Sequence, residues 1–187
     1  RLTALFDLAP RTRLRAATGR YTQSPGYEKL ASSDYVLDLT AATAARLRSE
    51  VAINTSAGLE HDLDRSTTVR VETYYKRFDH MLVGQLETEA ARQTRLNRYD
   101  FPAALQGSLP TDPLITTIPT NDGRGRAYGF DVFVTRTSVP ASGRVRGWAS
   151  YTWGRADRDA YGRRYPFEYD RRHAFSGVGS YRLSDRW

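Results

Sequence analysis

His61, His80 and His173 are the side chains best suited to proton transfer or metal ligation, and they are the only histidines in the chain. His80 follows Asp79, and His173 follows the run Tyr169-Asp170-Arg171-Arg172. A structural metal site needs about four convergent ligands, and a hydrolytic triad needs a nucleophile and a carboxylate around the imidazole. No such spacing recurs here. The 187 residues include no cysteine, which removes thiolate ligands, thiol nucleophiles and disulfides. The carboxylate pairs Glu87/Glu89 and Asp157/Asp159 fall in segments read as connections, where charge is solvated rather than poised for acid–base work. Gly123-Arg-Gly-Arg-Ala-Tyr-Gly129 leads into a strand, so it lacks the helix N-terminus that would cradle a phosphate. We expect no enzyme, no metal site and no cofactor.

The net charge is +7, and Lys29 and Lys76 are the only lysines among 28 basic residues. Nucleic-acid binding would need those charges clustered on one face, with a recognition helix or an aromatic RNA-binding strand. The arginines are scattered over turns, connections and alternate strand positions instead. No nucleic-acid partner is expected.

The elements that must position any site are strands. Residues 50–61 separate at period two into Val51, Ile53, Thr55, Ala57 and Leu59 on one side and Asn54, Ser56, Gly58 and Glu60 on the other. Residues 67–76 place Val69, Val71, Thr73 and Tyr75 opposite Arg70, Glu72, Tyr74 and Lys76. The five residues between them, rich in Asp and Ser, close a hairpin. Residues 126–136 and 144–154 continue the pattern, with Phe130, Val132, Ala149 and Tyr151 against Asp131, Phe133, Arg146 and Ser150. Segments 2–8, 13–21 and 172–183 complete a set of about seven strands.

The connections between these strands hold 4, 28, 5, 49, 7 and 17 residues, alternating short and long. An up-and-down transmembrane β-barrel has this rhythm, with short turns at one end and long loops at the other. The strand lengths suit a bilayer crossing of roughly 9–11 tilted residues, and no stretch approaches the roughly 18 apolar residues of a membrane helix. The fold expected is all-β: an antiparallel transmembrane barrel, present as an incomplete segment of one domain with long outer loops. Asn54, Arg70, Glu72, Tyr74, Asp131, Arg146 and Ser150 are the residues expected to face a wet lumen, and the alternate apolar residues to face outer-membrane lipid. In the long connections, 39–47 and 85–99 carry helix-compatible patterns. The segment 138–143, with Pro140 and Gly143, reads as a turn, and so does 184–186, after which Trp187 opens a further strand.

Several stretches resemble TonB-dependent outer-membrane receptors. Leu14-Arg-Ala-Ala-Thr-Gly-Arg-Tyr-Thr-Gln-Ser-Pro25 is similar to the family's strand leading into an outer loop. Ser49-Glu-Val-Ala-Ile-Asn-Thr-Ser-Ala-Gly-Leu-Glu60 resembles its strand ending in Gly-Leu-Glu, followed by Val71-Glu-Thr-Tyr-Tyr-Lys-Arg-Phe-Asp79. Gly125-Arg-Ala-Tyr-Gly-Phe-Asp131 is similar to an element in which Glu more commonly closes the run. Trp148-Ala-Ser-Tyr-Thr152, Tyr169-Asp-Arg-Arg-His-Ala-Phe175 and Ser180-Tyr-Arg-Leu-Ser184 complete a series running in order along nearly the whole chain. The resemblance implies a bacterial outer-membrane barrel of about 22 strands. It also implies TonB-energised import of a scarce ligand: a metal chelate, a cofactor or an oligosaccharide. The implied partners are the remaining strands, a plug domain and, through that plug, TonB. Because strand pattern begins at Arg1, plug and leader are expected outside this sequence.

Two other readings share the alternation. One is a different outer-membrane barrel, porin-like or hydrolytic, although His173 and Ser176 face opposite sides of their strand and cannot pair as base and nucleophile. The other is a soluble all-β binding module. The faces give a direct test, since a one-residue slip inverts every side chain. In the full-length protein, Val71→Arg should destabilise the folded barrel by roughly 2–4 kcal/mol, and Glu72→Arg by clearly less. Equal costs in a detergent unfolding assay would overturn the assignment.

Overall fold

A computed structural model describes residues 1–25, 47–100, 102, 107, 109–137, 144–168 and 170–184. The helix expected over 39–47, apart from Leu47, the turn at 138–143 and Trp187 lie outside them, and the turn expected at 184–186 does so apart from Ser184. The strands are β1 (Leu2–Ala9), β2 (Thr12–Gln23), β3 (Glu50–Asp62), β4 (Thr67–Leu86), β5 (Ile115–Arg136), β6 (Val145–Ala160), β7 (Arg163–Pro166) and β8 (His173–Tyr181). Among the described residues one helix, α1 (Glu89–Leu96), interrupts the series. All pairings are antiparallel, in sequence order from β1 to β7, with β8 also on β6.

β7 and β8 lie on the same side of β6 and share one strand position. From Pro166 to His173 the chain takes seven steps, while β6 takes four from Asp157 to Trp153. The extra residues leave the ladder, and the Asp170 carboxylate fills the gap by accepting from Ala156 N at 3.0 Å. Arg172 Nε holds the other carboxylate oxygen at 2.6 Å. The sequence reading of seven strands therefore matches seven positions, the last one spliced by a side chain. β7 itself was missed, because four residues show too little alternation.

The larger difference is length. β4 runs 20 residues and β5 22, so about half of each exceeds the roughly 9–11 residues a bilayer needs. Residues 77–86 and 115–125 of what reads as a 49-residue connection are a continuation of this hairpin. The alternation is hidden because the phase changes at His80, which sits at φ 60° in a bulge: Phe78 pairs with Gly125, and Met81 with Gly123. The 85–99 helix expectation is met over Glu89–Leu96.

The described residues form no second layer on the sheet. Among the described residues the only buried apolar side chains other than glycine are Pro119 and Ala160. Leu59, Val71, Val134 and Phe175 stay exposed on one face of the sheet. The backbone ladder and cross-strand pairs hold the sheet together. Tyr74 lies across a notch made by two glycines: a Cβ on Gly129 would meet the Tyr74 hydroxyl at 2.7 Å and the Trp153 carbonyl at 2.2 Å. At Gly58 the closest atom would be 3.4 Å away, an ordinary contact. In the full-length barrel, Gly129→Ala should therefore cost roughly 1–3 kcal/mol through overpacking, and Gly58→Ala far less. Denaturant unfolding in detergent measures both, and a neutral Gly129→Ala would mean the notch carries no packing.

Candidate functional site

The register sets which side chains share a face. Asn54 pairs with Lys76, Gly58 with Glu72, and Glu60 with Arg70 across β3 and β4. Glu72 pairs with Asp131, and Arg70 with Phe133, across β4 and β5. Asp131 pairs with Thr152, and Phe133 with Ser150, on β6, where Arg146 is Ser180's partner on β8. Asn54, Arg70, Glu72, Tyr74, Asp131, Arg146 and Ser150 thus lie on one face, by the alternation that singled them out.

They do not form one cluster. Asn54, Glu72, Tyr74 and Asp131 line a recess of about 410 Å³ together with Lys76 and Thr152. Lys76 Nζ stands 5.3 Å from the Tyr74 ring centroid, and Thr152 Oγ1 donates to Asp131. Asn54 Oδ1 is buried with no hydrogen-bond partner among the described residues. Arg70, Ser150 and Arg146 lie nearer the short-turn end. There Arg70 covers the Phe133 ring at 5.2 Å, and Phe133 stacks on Trp148 with centroids 5.9 Å apart. Nearby, Glu60 bridges Arg13 at 2.6 Å and Arg15 at 3.0 Å.

A second recess, about 600 Å³, opens on this face toward the long-loop end, lined by Tyr21, Glu50, Phe78, Met81, Arg158 and Phe167 among others. Arg158 lies over the Phe167 ring at 4.3 Å, and its Nε is buried without a hydrogen-bond partner among the described residues. Glu50 Oε1 accepts from Leu82 N at 2.8 Å, tying the mouth of β3 to the bulged part of β4. Sequence reasoning did not single these residues out. Phe78 and Arg158 fell in segments read as loops, and the signal that could have found them is unbroken alternation, since Phe78 continues the phase of Lys76 and Arg158 that of Thr152.

Chemically, the described residues of both recesses can bind and orient a ligand. Tyr151 Oη meets His173 Nδ1 at 2.8 Å on the opposite, apolar face, and Thr12 Oγ1 meets His61 Nδ1 at 2.9 Å. His173 pairs with Trp153 and Ser176 with Ser150, which puts histidine and serine on opposite faces as expected. No group of three potential metal ligands converges among the described residues.

Beyond the second recess, α1 is latched onto the hairpin. An eight-residue helix is too short to persist alone, since isolated helices below about 12–15 residues are marginal. Thr88 caps its N-terminus. Arg95 Nε and Nη2 each reach Glu87 at 2.9 Å, and the same guanidinium donates to the carbonyls of Pro110 and Asp112. Arg92 holds the Thr111 carbonyl at 2.8 Å.

The family model described as TonB dependent receptor-like, beta-barrel, matches residues 1–187. The ferric-catecholate import receptor Fiu from K12 E. coli, in its closed form, superposes with a TM-score of 0.64 at 16% identity, covering 98% of this chain and 22% of that one. FpvAI, in its complex with pyocin S2, gives 0.58 at 16% identity, covering 97% and 20%. The chain therefore spans about a fifth of the length of these structures, and at this identity the likeness is one of fold. No curated protein sequence matches it.

The Glu87 latch sets an acid response. Hydrogen bonding from Arg95 holds the Glu87 carboxyl below its ordinary 4.5, against a smaller opposing effect of burial. A depressed carboxylate stabilises the docked state fully above that ordinary value, and the stabilisation is lost as pH falls through the lowered one. In hydrogen exchange on the full-length protein, α1 should lose protection before mid-sheet strands as pH drops below 4.5. Glu87→Gln should abolish that differential response, and an unchanged acid response in Glu87→Gln would show that the latch does not hold the helix.

Proposed function

The chain belongs to the TonB-dependent receptor β-barrel family, and from that premise we propose that it is part of an outer-membrane receptor that imports a scarce ligand with TonB-coupled energy. The family match over residues 1–187 carries this reading. In it, the face bearing Asn54, Arg70, Glu72, Tyr74, Asp131, Arg146 and Ser150 lines the lumen, and the face bearing Leu59, Val71 and Val134 meets lipid. The charges on the first face then stay hydrated, whereas on the second a mid-membrane arginine costs roughly 2–4 kcal/mol.

The ligand reaches the recess at the long-loop end. Phe78, Tyr21 and Phe167 offer aromatic surface, and the Arg158 guanidinium adds positive charge beside Phe167. An aromatic wall with one arginine suits a planar anionic group, which favours a metal chelate with aromatic donors over a neutral oligosaccharide. Fiu is a ferric-catecholate import receptor, and that class of chelate is the first to test.

Cells expressing the full-length receptor should accumulate a radiolabelled ferric-catecholate chelate only when TonB and the membrane potential are intact. Arg158→Ala should raise the half-saturating concentration about tenfold or more, the loss of one charge-assisted hydrogen bond of roughly 1.5–3 kcal/mol, with the maximal rate little changed. Protease added to intact cells should cut at the tip of the β4–β5 hairpin and spare the turn at 62–66. Uptake independent of TonB would point to the porin-like reading, and cleavage confined to the short turn would invert the topology.

A further inference from the structure

The apolar face changes character toward its long-loop end. Arg20 on β2, Arg48 at the entrance to β3, Arg77 on β4 and Arg124 on β5 line one recess of about 770 Å³. All four are exposed. Arg77 is paired with Asp79 at 2.9 Å, while Arg20, Arg48 and Arg124 form no ion pair among the described residues. Arg20, Ile53 and Arg77 are consecutive register partners, so they share the face of Leu14, Leu59 and Val71, six residues further toward the short turns. Six residues of strand span about 20 Å. Between the two levels lie Tyr75 and Tyr128, register partners of each other and two residues below Arg77 and Arg126. Apolar side chains, then tyrosines, then arginines is the order of a face passing from hydrocarbon through the interface into the headgroup layer.

The recess is built rather than merely basic. Asn121 clamps the backbone of Arg48, accepting from Arg48 N at 2.7 Å and donating to Arg48 O at 3.0 Å and to His80 O at 2.8 Å. The His80 bulge, at φ 60°, reorients β4 beside this clamp. Val51 and Ile53 also line the recess, so its floor is continuous with the apolar face, and Asp79, Asp122 and His80 stand around the cations.

We propose that this recess binds the phosphorylated sugar headgroup of an outer-leaflet glycolipid, a site on the lipid side of the barrel and separate from the import path. It rests on the membrane-barrel reading above, which sets this end of the sheet at the outer surface. Guanidinium groups recognise phosphate oxygens through paired, charge-assisted hydrogen bonds. From β2 to β5 the cations spread over three strand spacings, about 14 Å, too broad for a single phosphodiester and suited to a disaccharide phosphorylated at both ends. The Asp79 and Asp122 carboxylates and the His80 ring can hydrogen-bond sugar hydroxyls. Val51 and Ile53 provide apolar surface for the first carbons of the acyl chains.

The test uses the full-length receptor purified in mild detergent and analysed by native mass spectrometry and thermal melting. The wild type should retain phosphorylated glycolipid through purification and rise in Tm when purified bacterial lipopolysaccharide is added. Dephosphorylated lipopolysaccharide, phosphatidylglycerol and inorganic phosphate should each give little or no rise. Affinity should fall roughly fivefold per arginine in Arg20→Gln, Arg48→Gln and Arg124→Gln. Lysine at these positions should recover part of the loss, and Arg65→Gln in the turn at the opposite end should change nothing. Equal binding of dephosphorylated lipid, an equal response to inorganic phosphate, or glutamine variants that bind like wild type would each overturn the site. Wild-type receptor absent from the outer-membrane fraction would instead overturn the barrel reading itself.

Discussion

The antiparallel ladder of backbone hydrogen bonds is the constraint on which everything else in this chain depends. With almost no buried apolar side chain among the described residues, the sheet cannot rely on a core, and each strand is held chiefly by its two neighbours. Hydrocarbon makes the same demand more severely, because an unpaired backbone group there has no water to turn to and costs several kcal/mol. The ladder also fixes meaning. Once β3 is in register with β4, every side chain on seven strand positions is assigned to one face or the other.

Local departures from regular strand are handled so that the ladder survives. At the seventh position the chain leaves the sheet between β7 and β8, and the Asp170 carboxylate takes the place of a backbone carbonyl opposite Ala156. At His80 an extra residue is accommodated by a left-handed backbone conformation, and Asn121 reconnects the displaced backbone to the strand entrance at Arg48. Both repairs lie toward the long-loop end. The short-turn end is tighter: Asp64 accepts from the Ser66 and Thr67 amides and the Ser66 hydroxyl, which hold its carboxyl down to about 2.

The two faces then divide the chemistry. The polar face carries the mid-sheet recess around Glu72 and Asp131 and the more aromatic recess around Phe78 and Arg158. The opposite face grades from Val71 and Val132 through Tyr75 and Tyr128 to the arginine recess. Import and lipid recognition would accordingly use opposite sides of the same strands, separated by one residue in sequence and by the thickness of the sheet in space.

The sequence by itself determined the strand order, the hairpin at 62–66 and the membership of the two faces, because alternation is a local property that a two-residue period displays without help. It was enough to group Asn54 with Glu72 and Asp131, since each strand announces its own phase. It did not reveal where β4 and β5 stop, because the phase change at His80 and the glycines and proline of β5 resemble loop chemistry until a partner strand is present to absorb them. It did not reveal β7, whose four residues acquire strand character only from pairing with Asp157 to Ala160. The recesses were beyond it altogether. Arg158 meets Phe167 across the β6–β7 hairpin, and Arg20, Arg48 and Arg124 come to one recess through registers spanning β2 to β5, and such distances exist only once the sheet has formed.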